Sequence, residues 1–230
     1  VLSMIVCTIL GVVIERLAYR PLREAPSLAV LITAIGVSYL LQQVAQLSWS
    51  SNPKSFTSVV SGMKPVSLFG GQLTISAETI VTIVACVVIM VVLMWFVNYT
   101  PAGHAMLAVS EDRGAAQLMG VNVNGTISLT FAIGSALAAI AGALLCSSYP
   151  TLQPTTGAMP GIKAFVAAVF GGIGSIPGAM VGGILLGVIE IFSKAYISSQ
   201  VADAIVFAVL IIVLLVKPSG LFGKNIQEKV

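Results

Sequence analysis

The 230-residue chain is 57% hydrophobic and only 8% charged, with a formal net charge of +3 and a mean hydropathy of +1.05. Soluble domains carry about 25% charged residues, so this composition excludes a soluble globular protein and defines a polytopic membrane protein. The small positive excess follows membrane sidedness and does not indicate nucleic-acid binding.

Spans are placed by requiring about 20 apolar residues each and letting Lys and Arg set the sidedness. The first apolar run, residues 1–14, is too short to cross, which implies a helix whose start is missing; the run carries no signal-peptide pattern. Arg16, Arg20 and Arg23 mark a cytoplasmic loop, and Pro21 and Pro26 keep it from continuing as helix. A second span covers residues 27–47 and a third residues 79–97. The external loop between them, residues 48–77, is rich in Ser, Gly, Pro and Thr, and alternation over residues 65–75 predicts a small hairpin. Trp49 on one side and Trp95 with Tyr99 on the other suit interfacial belts.

Residues 100–126 form a cytosolic loop holding a short helix over residues 111–120. Ser110 is its expected N-cap, Glu111 and Asp112 suit its first turn, and Gly120 its end. Ala115, Leu118 and Met119 share an apolar face too small for a core. A groove on a partner protein would take that face; the plain alternative is a loop helix packed on its own protein's cytosolic ends.

Residues 127–149 leave the cytosol and residues 202–216 return to it, since Lys217, Lys224 and Lys229 mark a cytoplasmic tail. The stretch between them must start and end outside. Residues 161–192 are apolar but interrupted by Gly171, Gly172, Gly174, Pro177 and Gly178, which predicts a broken or re-entrant helix. The preferred form is a short helix, a break, and a second helix opened by Pro177. Gly174, Gly178 and Gly182 recur every fourth residue, as do Gly183 and Gly187, and Gly134, Ala138 and Gly142. Such stripes let backbones approach closely in lipid. The break lacks the Lys-Ser/Thr ending of a P-loop.

Enzymatic chemistry finds little support. His104 has no Cys or carboxylate at metal-ligand spacing, and no Gly-x-Ser-x-Gly environment exists. No catalytic residue, metal or cofactor is expected on this chain. Cys7, Cys86 and Cys146 read as small membrane-helix residues. Glu190 and Lys194 fit a helical salt bridge near the outer interface. No acid or base is centred in a span, as ion-coupled pumping would require. Mild polarity at Thr33, Ser38, Gln42 and Gln43, and at Thr130 and Ser135, suits a path for a neutral or zwitterionic solute. Active transport would then need energy from another subunit.

Glu15-Arg16-Leu17-Ala18-Tyr19-Arg20-Pro21-Leu22-Arg23 and Leu31-Ile32-Thr33-Ala34-Ile35-Gly36-Val37-Ser38 closely resemble the permease subunits of branched-chain amino acid ABC importers. So do Gly103-His104-Ala105-Met106, the stretch from Asp112 to Asn122, and Lys163-Ala164-Phe165 through Gly171 to Ala179. The resemblance covers nearly the whole chain in order. It implies an all-α polytopic bundle, one permease domain over residues 1–230, with a coupling helix that docks on an ATPase subunit through Asp112, Arg113, Ala115, Ala116, Leu118, Met119 and Gly120. Gly114 stands where the importers' Glu-Ala-Ala…Gly signature has glutamate, while Ala115, Ala116 and Gly120 match it. The family's N-terminal spans and Asn-Phe-Ala-His-Gly-like motif have no counterpart, so an N-terminally incomplete member is expected.

The implied partners are a homologous permease, two ATPase subunits carrying ATP, and a solute-binding protein, in a bacterial or archaeal inner membrane. The implied cargo is leucine, isoleucine or valine. Urea or small amides are alternative cargoes. A passive channel or secondary carrier, and after it an intramembrane enzyme, are the alternative classes.

Overall fold

The computed structural model describes residues 1–23, 25–56, 66–68 and 73–223. The chain forms two compact units, Val1–Thr155 and Thr156–Val230. Among the described residues, five helical stretches are long and apolar enough to cross a membrane: Leu2–Leu22, Leu28–Trp49, Ala77–Tyr99, Val123–Ser148 and Ile176–Tyr196. Two shorter apolar helices, Ala158–Gly171 and Ala202–Val216, accompany them.

The first unit begins with α1 (Leu2–Ile14), which runs on through a π-helical turn at Glu15–Tyr19 and a 3-10 turn at Arg20–Leu22. The expectation of a 14-residue fragment is therefore corrected: the helical run has 21 residues. Hydropathy falls at Glu15, but that carboxylate is turned inward and paired, so it does not end the helix. The stop comes one turn later at Pro21, whose ring cannot continue the hydrogen-bond ladder.

Helix α2 (Ser27–Trp49) leads to strand β1 (Lys54–Ser55). The expected hairpin is present as β2 (Val66–Leu68) and β3 (Leu73–Ile75), antiparallel with Ser67 opposite Thr74. Its turn and Pro65 lie outside the described residues. Ser76 caps α3 (Ala77–Tyr99) by accepting from the Thr79 amide. The expected cytosolic loop is largely helical, with α4 (Pro101–Glu111) and α5 (Arg113–Leu118) before α6 (Val123–Ser148). Thr100 caps α4, with Pro101 in its first turn, where the missing N–H costs nothing.

Helix α6 fixes the two ends of this unit. Its 26 residues rise about 39 Å. Past its C-terminus, β4 (Thr151–Leu152) pairs antiparallel with β1, Lys54 facing Leu152, so α2 and α6 finish at the same end. At the other end, Arg113 Nη1 donates to the Arg23 carbonyl at 3.2 Å. The turn after α1 and the α4–α5 segment therefore share the arginine-rich end. Helices α1 and α6 pack side by side; Gly11 lies so close to Ser135 that a Cβ there would collide with its hydroxyl.

In the second unit, α7 (Ala158–Gly171), α8 (Ile176–Tyr196) and α9 (Ala202–Val216) enclose Val166, Phe170, Leu186 and Val206. The preferred short helix, break and Pro177-opened second helix are all observed. Gly172 ends α7 at φ +109°, a conformation L side chains rarely adopt. The chain following α9 covers this end: Leu221 and Phe222 amides donate to the Phe170 and Gly171 carbonyls, both at 2.9 Å. The break thus lies at the same end as Lys217; Lys224 and Lys229 lie outside the described residues.

The glycine stripes divide by position. A Cβ at Gly178 or Gly182 would come within 2.6 Å of the Gly171 or Ala167 carbonyl oxygen, so these two let α7 and α8 touch backbone to backbone. At Gly134, Gly142, Gly174 and Gly187 nothing among the described residues lies within 4 Å of an added Cβ. Gly174 instead serves the break, at φ +92°. Gly178→Leu is therefore expected to destabilise the chain by about 1–3 kcal/mol or more, whereas Gly187→Leu is near neutral. Thermal midpoints of the detergent-purified variants check this; equal midpoints would contradict it.

Candidate functional site

The arginine-rich end carries the principal candidate site. Helix α4 keeps Glu111 and buries Gly103 near its start and Val109 near its end. Asp112 then turns extended, at φ −151° and ψ 111°, and its Oδ1 accepts the Ala115 amide at 3.0 Å. The expected cap is thereby corrected: Asp112 caps α5, while the Ser110 hydroxyl donates back to the Leu107 carbonyl within α4. Gly120, at φ +85°, ends the segment as expected. Asn122 at once caps α6 through the Gly125 amide.

Helix α5 and its caps, Asp112 and Met119, present two different faces. Ala116 is 5% exposed, packed within its own unit. Leu118 is 90% and Met119 84% exposed, with Ala115, Asp112, Arg113 and Gly114 also at the surface. Ala116 is therefore corrected from a partner contact to an anchor holding α5 against α4 and α6. Spacing places Ala115, Leu118 and Met119 together but cannot say which way the opposite face turns.

Beneath α5 lies a buried polar cluster that hydropathy reading missed. Glu15 is 0% exposed. Its Oε1 pairs with Arg23, and its Oε2 accepts the Ser128 hydroxyl at 2.7 Å. The Arg23 guanidinium also donates to Asn124 Oδ1, and the Arg23 carbonyl accepts from Arg113. The signal was present: a glutamate eight residues before an arginine, at the end of an apolar run.

A second cluster ties the other unit together. Lys163 on α7 pairs with Glu190 on α8 at 2.8 Å and Asp203 on α9 at 2.7 Å. Lys194 meets Glu190 in the expected helical pair, so the pair is part of a three-helix network. Spacing within one helix could not reveal its other members.

The candidate pathway residues lie on α2 and α6. Thr33 and Thr130 hydroxyls donate to the carbonyls one turn back, at Ala29 and Thr126. Ser38 accepts from Gln42 on the exposed side of α2. Ser135 lies in the α1–α6 seam against Gly11. Ser175 gains a defined role, its hydroxyl capping α8 through the Gly178 amide at 3.1 Å. His104 is exposed on α4.

These features define a multi-pass helical membrane protein that exposes Leu118 and Met119 at the end of a short capped helix. Comparison with known proteins gives the family. The chain belongs to the branched-chain amino acid transport system permease component family, whose model matches residues 1–214. It is 43% identical over 231 residues to the high-affinity branched-chain amino acid transport system permease protein LivH of Salmonella typhimurium, covering 99% of this chain and 74% of the relative. It is 44% identical over 232 residues to the corresponding protein BraD of Pseudomonas aeruginosa, covering 99% and 75%. A fructose import permease of Rhizobium meliloti is 32% identical over 133 residues, covering 55% of this chain and 37% of the relative. No solved structure matches. The protein is thus a transport permease rather than an enzyme, and the channel and secondary-carrier alternatives are not favoured.

Ala116→Arg is expected to damage the chain's own fold, since it forces a charge into a packed seam at a cost of several kcal/mol. Its yield of monodisperse protein should fall well below that of Gly114→Arg, which enters solvent. Equal yields on size-exclusion chromatography would contradict the burial of Ala116.

Proposed function

We propose that this chain is the membrane-spanning permease subunit of an ATP-driven importer for branched-chain amino acids, with α5 as its contact to the ATPase. The reading rests above all on Leu118 and Met119. They stand almost fully exposed on a capped turn flanked by Asp112 and Arg113, at the end where Arg16, Arg20 and Arg23 mark the cytosolic side. Each would gain about 1.5–3 kcal/mol on full burial, and a groove on a partner provides that burial.

The relatives named for branched-chain amino acid transport support the cargo. The chain carries no nucleotide motif, so ATP is bound and hydrolysed on separate ATPase chains, two per complex. A homologous permease completes the membrane portion, and a solute-binding protein delivers cargo from outside, all at a prokaryotic inner membrane. The fructose permease match supports leaving cargo choice to the binding protein. Ser38 and Gln42, the exposed polar pair on α2, are the pathway residues best placed to meet a zwitterion from this chain.

Leu118→Asp tests the docking role. The variant should fold with an unchanged thermal midpoint, lose the ATPase subunit on purification, and lose ATP-dependent leucine uptake that isoleucine and valine compete with in the parent. Retention of both ATPase and uptake would reject the assignment.

A further inference from the structure

We propose that Glu15 is the positioning residue that transmits movement of α5 to α1 and α6, an inference that rests on the reading of α5 as the ATPase contact. The argument begins with the cost of burial. A carboxylate with no exposure must have both oxygens satisfied, and losing one partner leaves an uncompensated charge. Glu15 meets that demand by bonding in two directions, to Arg23 beyond α1 and to Ser128 on α6. Arg23 repeats the division: its guanidinium holds Glu15 and Asn124, and its carbonyl holds Arg113 in the first turn of α5.

These links form a continuous chain from Arg113 through Arg23 to Glu15 and into α6. A shift of α5 must either break the Arg113–Arg23 bond or carry Arg23 with it. Charge-assisted bonds are strong and directional, so the displacement passes to Glu15 with little slack. From there it reaches α1 through the backbone and α6 through Ser128, where the two helices already touch along Gly11 and Ser135. The π-helical turn at Glu15–Tyr19 marks the same place; such widened turns recur at functional positions in helices. A well-packed apolar contact would hold the helices together at least as firmly as a buried ion pair. What the pair adds is direction, tying the docking helix to two membrane helices through one side chain.

The test uses the complete complex of permeases, ATPase chains and binding protein in proteoliposomes. Glu15→Gln should keep the ATPase at parental stoichiometry, while stimulation of ATP hydrolysis by loaded binding protein falls at least about fivefold and solute moved per ATP falls with it. The double variant Glu15→Gln with Arg23→Gln removes both charges together and leaves no lone buried charge. It should assemble even where the single variant does not, and it too should be uncoupled. Parental stimulation and solute per ATP in an assembled complex of either kind would overturn the proposal. Loss of the ATPase from a folded permease would also overturn it, because Glu15 would then hold the docking surface itself. Leu118→Asp, measured alongside, separates the two ideas: if that variant keeps its ATPase, the docking reading fails whatever the Glu15 variants do.

Discussion

A carboxylate sealed from solvent at the end of a membrane helix governs how the first unit is put together. Glu15 has no exposure, so its pairing is obligatory rather than decorative. To satisfy it, Arg23 must fold back from beyond the 3-10 turn and α6 must present Ser128 and Asn124 in register. Once those groups are placed, the Arg23 carbonyl stands where Arg113 reaches it, and α5 is located on the same end. Ala116, buried from the other side, completes the seat and leaves Leu118 and Met119 facing out.

The second unit solves the same problem of holding helices in lipid by different means. Lipid tails are as apolar as leucine, so close packing and polar links carry the association. Gly178 and Gly182 let α7 and α8 meet at backbone distance. At one end Lys163 joins all three helices through Glu190 and Asp203. At the other, amides of Leu221 and Phe222 satisfy the carbonyls left free where α7 stops. The α7 end of the break is therefore paired backbone, which is the condition for irregular structure buried at membrane depth.

Much of this was legible in the chain because lipid imposes length and composition on every span. The apolar runs gave α2, α3, α6 and the α7–α8 break, and strand alternation gave the β2–β3 pair. The expectation that residues 16–23 and the helix over residues 111–120 share one end agrees with the Arg113–Arg23 bond. One error comes from hydropathy, which treats a charged residue as the end of a buried segment. It cut α1 at Glu15, whose charge is paired by an arginine eight positions away and hydrogen-bonded by a serine on α6. Cap preference merged the end of α4 with α5, because Ser110 and Asp112 are both good caps and only tertiary packing, with Val109 buried, decides between them. Direction was the other gap. Periodicity grouped Ala115, Leu118 and Met119, but only the packing of α5 on its neighbours shows that Ala116 turns inward.

The division of α5 into an anchored face and an offered face is what makes the transport proposal mechanical. A buried charge sets the helix in place, a buried alanine fixes its rotation, and two apolar side chains are left without a partner inside the unit. The most direct measurement is site-specific photocrosslinking in intact cells, with a benzophenone amino acid at Met119 and, for comparison, at Leu152 in the strand pair at the opposite end. A single crosslinked product containing the ATPase subunit from Met119, and none from Leu152, is the expected result. Absence of that product at Met119, or its appearance at Leu152, would contradict the account.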